Sequence, residues 1–140
     1  MHFSQPPALV VYADDQAGSP PTSVQLAPFC QNGCFRYNGW LGLTTPGDSY
    51  DVIFLEPTTT VGVQFWGDPG DGIAYVYVDG DLIWEGDTEG ADVNYPGGAF
   101  VKYLQINNLP QIANHILRIE TGDTRGAVTM YFFGAGLAVP

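Results

Sequence analysis

Turn signals recur roughly every 8–12 residues along this 140-residue chain, the spacing of an antiparallel sandwich or barrel. Eighteen glycines and eleven prolines supply them, most densely in Asp68-Pro69-Gly70-Asp71-Gly72 and Pro46-Gly47-Asp48. Short apolar runs lie between the turns. Strands are predicted over residues 8–13, 24–29, 49–55, 59–66, 73–78, 82–85, 100–106, 116–120 and 129–133. Asp79-Gly80, between two such runs, is hairpin sequence. No window sustains a 3.6-residue period and lysine is nearly absent, which disfavours a helical bundle. With 45% hydrophobic and 14% aromatic residues the chain is too apolar to stay disordered. One β-sandwich domain over residues 1–140 is expected, with residues 1–7 as a flexible or extended arm.

Alternation assigns faces. Ala74, Val76 and Val78 oppose Ile73, Tyr75 and Tyr77. Because both sets are apolar, this strand is expected to be central and covered on both sides. His115, Leu117 and Ile119 oppose Ile116, Arg118 and Glu120. Val128, Met130 and Phe132 oppose Thr129, Tyr131 and Phe133.

Charge narrows the partners. Fifteen acids against four bases give −11, a surface that repels phosphate backbones and anionic lipid, so neither nucleic acid nor a membrane surface is expected as partner. No apolar run reaches the length of a membrane-spanning helix, and no membrane insertion is expected. The start, Met1-His2-Phe3-Ser4-Gln5-Pro6-Pro7, lacks the basic and apolar regions of a signal peptide, so a secreted protein would be present here as a mature form or excised domain. Cys30 and Cys34 flank Gln31-Asn32-Gly33. Their spacing and lack of partners argue against zinc. A short disulfide across the Asn-Gly turn would place the chain outside the cell or at its surface, and two buried thiols are the alternative.

Little supports catalysis. His2 and His115 are the only histidines, no Gly-x-Ser-x-Gly elbow is present, and His115 begins a strand on a buried parity, where a hydrogen-bonded structural histidine is expected. The chain is therefore read as a non-enzyme.

The phrases Phe65-Trp66-Gly67, Gly72-Ile73-Ala74-Tyr75-Val76-Tyr77-Val78-Asp79-Gly80, Leu104-Gln105-Ile106-Asn107-Asn108-Leu109 and His115-Ile116-Leu117-Arg118-Ile119-Glu120-Thr121-Gly122 run in one order, closed by an apolar strand over 128–133. In that order the chain resembles the galactose-binding-like jelly-roll domains, the sandwich of many carbohydrate-binding modules. The resemblance covers about half of the chain. It implies an all-β antiparallel jelly-roll β-sandwich, a glycan or polysaccharide as partner, ligand contacts on loops at one end, and a structural calcium.

Residues fitting those roles are present. A sugar ring offers an apolar C–H face to a flat side chain while its hydroxyls bond to amides and charged groups. Tyr37, Asn38 and Trp40 fall in a glycine-flanked segment read as a loop, Tyr95 in a long loop over 86–98, and Arg125 at a late turn. Trp66 and Trp84, inside strands, are read as core or edge plugs. The acids concentrated in 68–92 make Asp68 and Asp71 the candidate calcium ligands. The expected function is thus a non-catalytic, lectin-like module for neutral glycans. The alternative is a homo-oligomeric structural subunit of an extracellular or viral assembly (a filament, sheath or capsid) in which residues 6–13 add as a strand to a neighbour's sheet.

Overall fold

A computed structural model describes residues 8–12, 24–37, 40–67, 71–88, 100–122 and 127–137. Eleven strands form among them: β1 (Ala8–Tyr12), β2 (Val24–Phe29), β3 (Phe35–Tyr37), β4 (Trp40–Leu43), β5 (Ser49–Phe54), β6 (Thr60–Gly67), β7 (Ile73–Val78), β8 (Asp81–Asp87), β9 (Phe100–Ile106), β10 (His115–Thr121) and β11 (Val128–Leu137). There is no helix among the described residues. The first sheet runs β3-β4-β11-β6-β9, with β1 also on β11; the second runs β2-β5-β10-β7-β8. Every pairing is antiparallel. The chain is an all-β, two-sheet jelly-roll β-sandwich.

Alternation drives the packing. Tyr50, Val52 and Phe54 of β5, Leu117 and Ile119 of β10 and Ala74, Val76 and Val78 of β7 point inward from the second sheet. They meet Leu41, Leu43, Val61, Val63, Phe65, Val128, Met130, Phe133 and Ala135 from the first in one continuous core. Each fully buried Val, Leu, Ile, Phe or Met among them contributes about 1.5–3 kcal/mol, and a one-residue slip would turn a strand's whole set outward, which fixes the register. Trp84 closes the β8 edge as a plug: its indole stacks on Phe65 at 5.6 Å between centroids. It also lies over Gly86, where any side chain would overlap the ring.

Two turns explain why the strands reverse where they do. Asp79 (φ 51°) and Gly80 (φ 90°) both take the left-handed conformation of a tight hairpin turn. The Asp79 carboxylate anchors the turn, accepting the Ile116 N–H at 2.8 Å and facing His115 Nδ1 at 2.6 Å. At the other site, Cys30 and Cys34 are joined in a disulfide, their Cα atoms 5.4 Å apart, across a turn in which Gly33 has φ 84°. Buried Asp48 ties this turn to the neighbouring one, accepting the N–H groups of Gln31 and Thr45.

Several expectations are corrected. The aromatic segment around Tyr37 and Trp40 is not a loop but the β3–β4 hairpin, with Tyr37 and Trp40 as Cα partners. Strand β7 lies inside its sheet, between β10 and β8, but it is not covered on both sides: Ile73, Tyr75 and Tyr77 stay half-buried on the outer face. A bulge between Met130 and Phe132 switches the parity of β11, so Phe133, not the Phe132 position, continues the inward row of Val128 and Met130. Strand β1 spends its ladder inside its own chain, pairing Ala8 with Leu137 through Tyr12 with Phe133.

Candidate groove on the outer face of the second sheet

The residues between the inward rows of β5, β10 and β7 must face outward. Register aligns them across the strands: Asp51, Arg118, Tyr77 and Leu82 form one row, and Ser49, Glu120, Tyr75 and Glu85 the next. Asp51, Tyr77, Asp79, Gly80, Ile116, Arg118 and Glu120 line a groove of about 440 Å³. Its volume lies within the range of small-ligand clefts, and its lining mixes an aromatic ring, an aliphatic side chain and charged groups, as such clefts do.

The polar groups are ordered. Arg118 donates from Nε to Asp51 Oδ1 at 2.7 Å and from Nη2 to Asp51 Oδ2 at 3.0 Å. This two-point bond, reinforced by the Asp51 charge, moves the guanidinium further above its ordinary range. Half-exposed, the pair adds little stability; it fixes a flat donor plane at the groove wall. Burial, then the Glu120 carboxylate, raise the Tyr77 phenol above its usual value. The phenol is therefore neutral at physiological pH and can both donate and accept. Gly122, just past β10, lets the Tyr75 ring lie against the backbone, since a side chain there would overlap it.

Behind the groove floor His115 is buried, with Nδ1 at 2.6 Å from Asp79 Oδ2 and Nε2 at 2.6 Å from the Pro110 carbonyl oxygen. This is the expected structural histidine. Both ring nitrogens of this Asp-His pair are engaged and the imidazole itself is fully buried.

The expected site residues distribute differently. Tyr37 and Trp40 are brought together, but on the first sheet, away from the groove. Asn38, Tyr95, Arg125 and Asp68 lie outside the described residues, as do residues 1–7. Asp71 is half-buried just before β7. No three His, Cys, Asp or Glu side chains among the described residues come together as a metal site. The groove residues Asp51, Tyr77, Arg118 and Glu120 were not singled out from sequence. The signal was present, because Tyr75 and Tyr77 share the parity opposite the core, beside a strand whose outward parity reads Ile116, Arg118, Glu120.

No protein-family model and no curated protein sequence matches the chain. Solved structures do match in fold. A family 35 carbohydrate-binding module from Clostridium thermocellum is similar at TM-score 0.57 and 11% identity, covering 94% of this chain and 99% of that one. A two-domain esterase active on acetylated mannans, co-crystallised with mannopentaose, is similar at TM-score 0.58 and 13% identity, covering 95% of this chain and 38% of that one. The catalytic domain of a GH87 α-1,3-glucanase in complex with nigerose is similar at TM-score 0.56 and 12% identity, covering 94% and 28% respectively. This chain thus spans well under half of either enzyme. These likenesses show a shared two-sheet β-sandwich fold, consistent with the galactose-binding-like fold that the strand phrases resemble.

Proposed function

We propose that this domain is a non-catalytic carbohydrate-binding module that takes glycans free of acidic groups in the groove on its second sheet. The observation carrying the reading is the half-buried Tyr77, paired across the strands with Arg118 of the Arg118–Asp51 pair and lining one groove with Glu120. That arrangement offers a flat apolar surface with donors and acceptors around it, as a pyranose requires. A fold neighbour of nearly equal length is a binding module, and the His115–Asp79 pair is sealed from solvent on the histidine side; both support binding without catalysis. The disulfide supports an extracellular or cell-surface setting.

Titration with a panel of neutral oligosaccharides tests this. Tyr77→Ala is expected to weaken binding by about 1–3 kcal/mol while the protein melts near the wild-type temperature. Unchanged affinity for every ligand bound by the wild type removes the groove and turns attention to the second proposed surface, the Tyr37–Trp40 hairpin with Asn38, Tyr95 and Arg125. Calcium at Asp68 and Asp71 remains a separate proposal, since the described residues do not by themselves assemble a ligand set. A chelator that lowers the melting temperature, reversed by added calcium, supports it, and an unchanged melt of metal-free protein refutes it.

A further inference from the structure

We propose that the groove is built for a glycan bearing free amino groups, an oligomer or polymer of hexosamine, with an ammonium on Glu120 and its sugar ring on Tyr77. This rests on the carbohydrate-binding reading and names the ligand class within it. The groove holds three carboxylates, Asp51, Asp79 and Glu120, against one guanidinium, Arg118. Two of the three acids are engaged. Asp51 takes both Arg118 hydrogen bonds, and Asp79 takes the Ile116 N–H and His115. Glu120 is half-buried and has no hydrogen-bond partner among the described residues.

A carboxylate partly withdrawn from water gains most from a charged donor, because an ammonium–carboxylate hydrogen bond is roughly twice as strong as a neutral one. The local field agrees. At the Tyr77 phenol the influence of Glu120 exceeds the opposing influence of Arg118, and Glu85 on β8 adds to it. Uronic or sulfated sugars would meet that field as repulsion. A neutral sugar would give Glu120 only a hydroxyl. An amino sugar presents its charge at the ring edge and its C–H face to the tyrosine, so one residue of the polymer makes both contacts. A lysine peptide carries the same charge on a flexible stem and lacks the flat face.

Isothermal titration at about pH 6, where an amine of ordinary basicity is charged, tests this with three tetrasaccharides. These are glucosamine, N-acetylglucosamine and glucose oligomers, with tetralysine as a fourth ligand. The glucosamine oligomer is expected to bind about tenfold tighter than its acetylated twin. That advantage should disappear in Glu120→Gln and in about 1 M salt, where exposed charges are screened. Glu120→Gln should melt like the wild type. Equal affinity for the charged and acetylated oligomers overturns the amine inference and leaves the carbohydrate-binding reading standing. Tetralysine binding as tightly as the glucosamine oligomer overturns the sugar requirement. Failure of every oligosaccharide to bind the folded protein removes the carbohydrate-binding reading itself, and this inference with it. Retention of the full tenfold preference in Glu120→Gln moves the charge contact off Glu120 and overturns the assignment.

Discussion

The same three strands carry two different jobs on their two faces. Along β5, β10 and β7 the inward residues Val52, Leu117 and Val76 are wholly buried, and each can be replaced only by something of similar size. One residue away, Asp51, Arg118 and Tyr77 face outward, half in water, held by hydrogen bonds and charge. The inner face is dictated by volume and the outer by chemistry. Substitutions on the two faces should therefore separate cleanly, the first changing stability without changing which ligand is bound, the second doing the reverse.

The inner face sets the largest effect. Leu117→Ala is expected to cost about 2–5 kcal/mol of stability, read by thermal or urea unfolding, because the sandwich cannot collapse around the lost volume. Ligand preference among the molecules that remain folded should not change; a changed preference would show that the two faces are coupled. Asp79 sits between the faces and should show an intermediate cost. Asp79→Ala leaves the Ile116 N–H and His115 Nδ1 without their partner and keeps a non-glycine residue at positive φ, for about 1–3 kcal/mol. Asp79→Asn, which retains a side-chain oxygen and tolerates that backbone, should recover most of the loss in the same melt.

This division also explains what the sequence made legible. Inner-face residues repeat with period two, so the rows Ala74-Val76-Val78 and His115-Leu117-Ile119 and the Asp79-Gly80 hairpin could be read directly. Three features obscured the rest. A bulge shifts parity without any local mark, so strict alternation puts Phe133 on the wrong face of β11. The β3–β4 hairpin is so short that its aromatic flanks pass for loop sequence. The groove arises from register across β5, β10 and β7, and residues 51, 77 and 118 become neighbours only once the pairings are known.

Smaller effects belong to the outer face. Arg118→Ala should change stability by no more than about 1 kcal/mol, since the pair it makes with Asp51 is half in solvent. Yet it should lower the affinity for a neutral glycan severalfold, because a donor plane is lost, while a glycan bearing ammonium groups should lose less, because the released Asp51 adds to the negative charge that attracts it. A melt that falls far more would reassign the Arg118–Asp51 pair to the scaffold.

The smallest effect isolates Tyr77 itself. Burial and then Glu120 raise its phenol above the ordinary value near 10, so folding favours the protonated form. The sign follows from linkage: a raised value contributes stability that is complete below the unfolded-state value and is lost as pH climbs through the folded-state value. The wild type should therefore lose a small increment of melting temperature on going above about pH 10, relative to Tyr77→Phe, which has no proton to lose. The same substitution leaves the stacking face intact, so at neutral pH it should weaken glycan binding far less than Tyr77→Ala. If Tyr77→Phe and Tyr77→Ala weaken it equally, the ligand is held by the hydroxyl and not by the ring, and the outer face recognises its partner by hydrogen bonds alone.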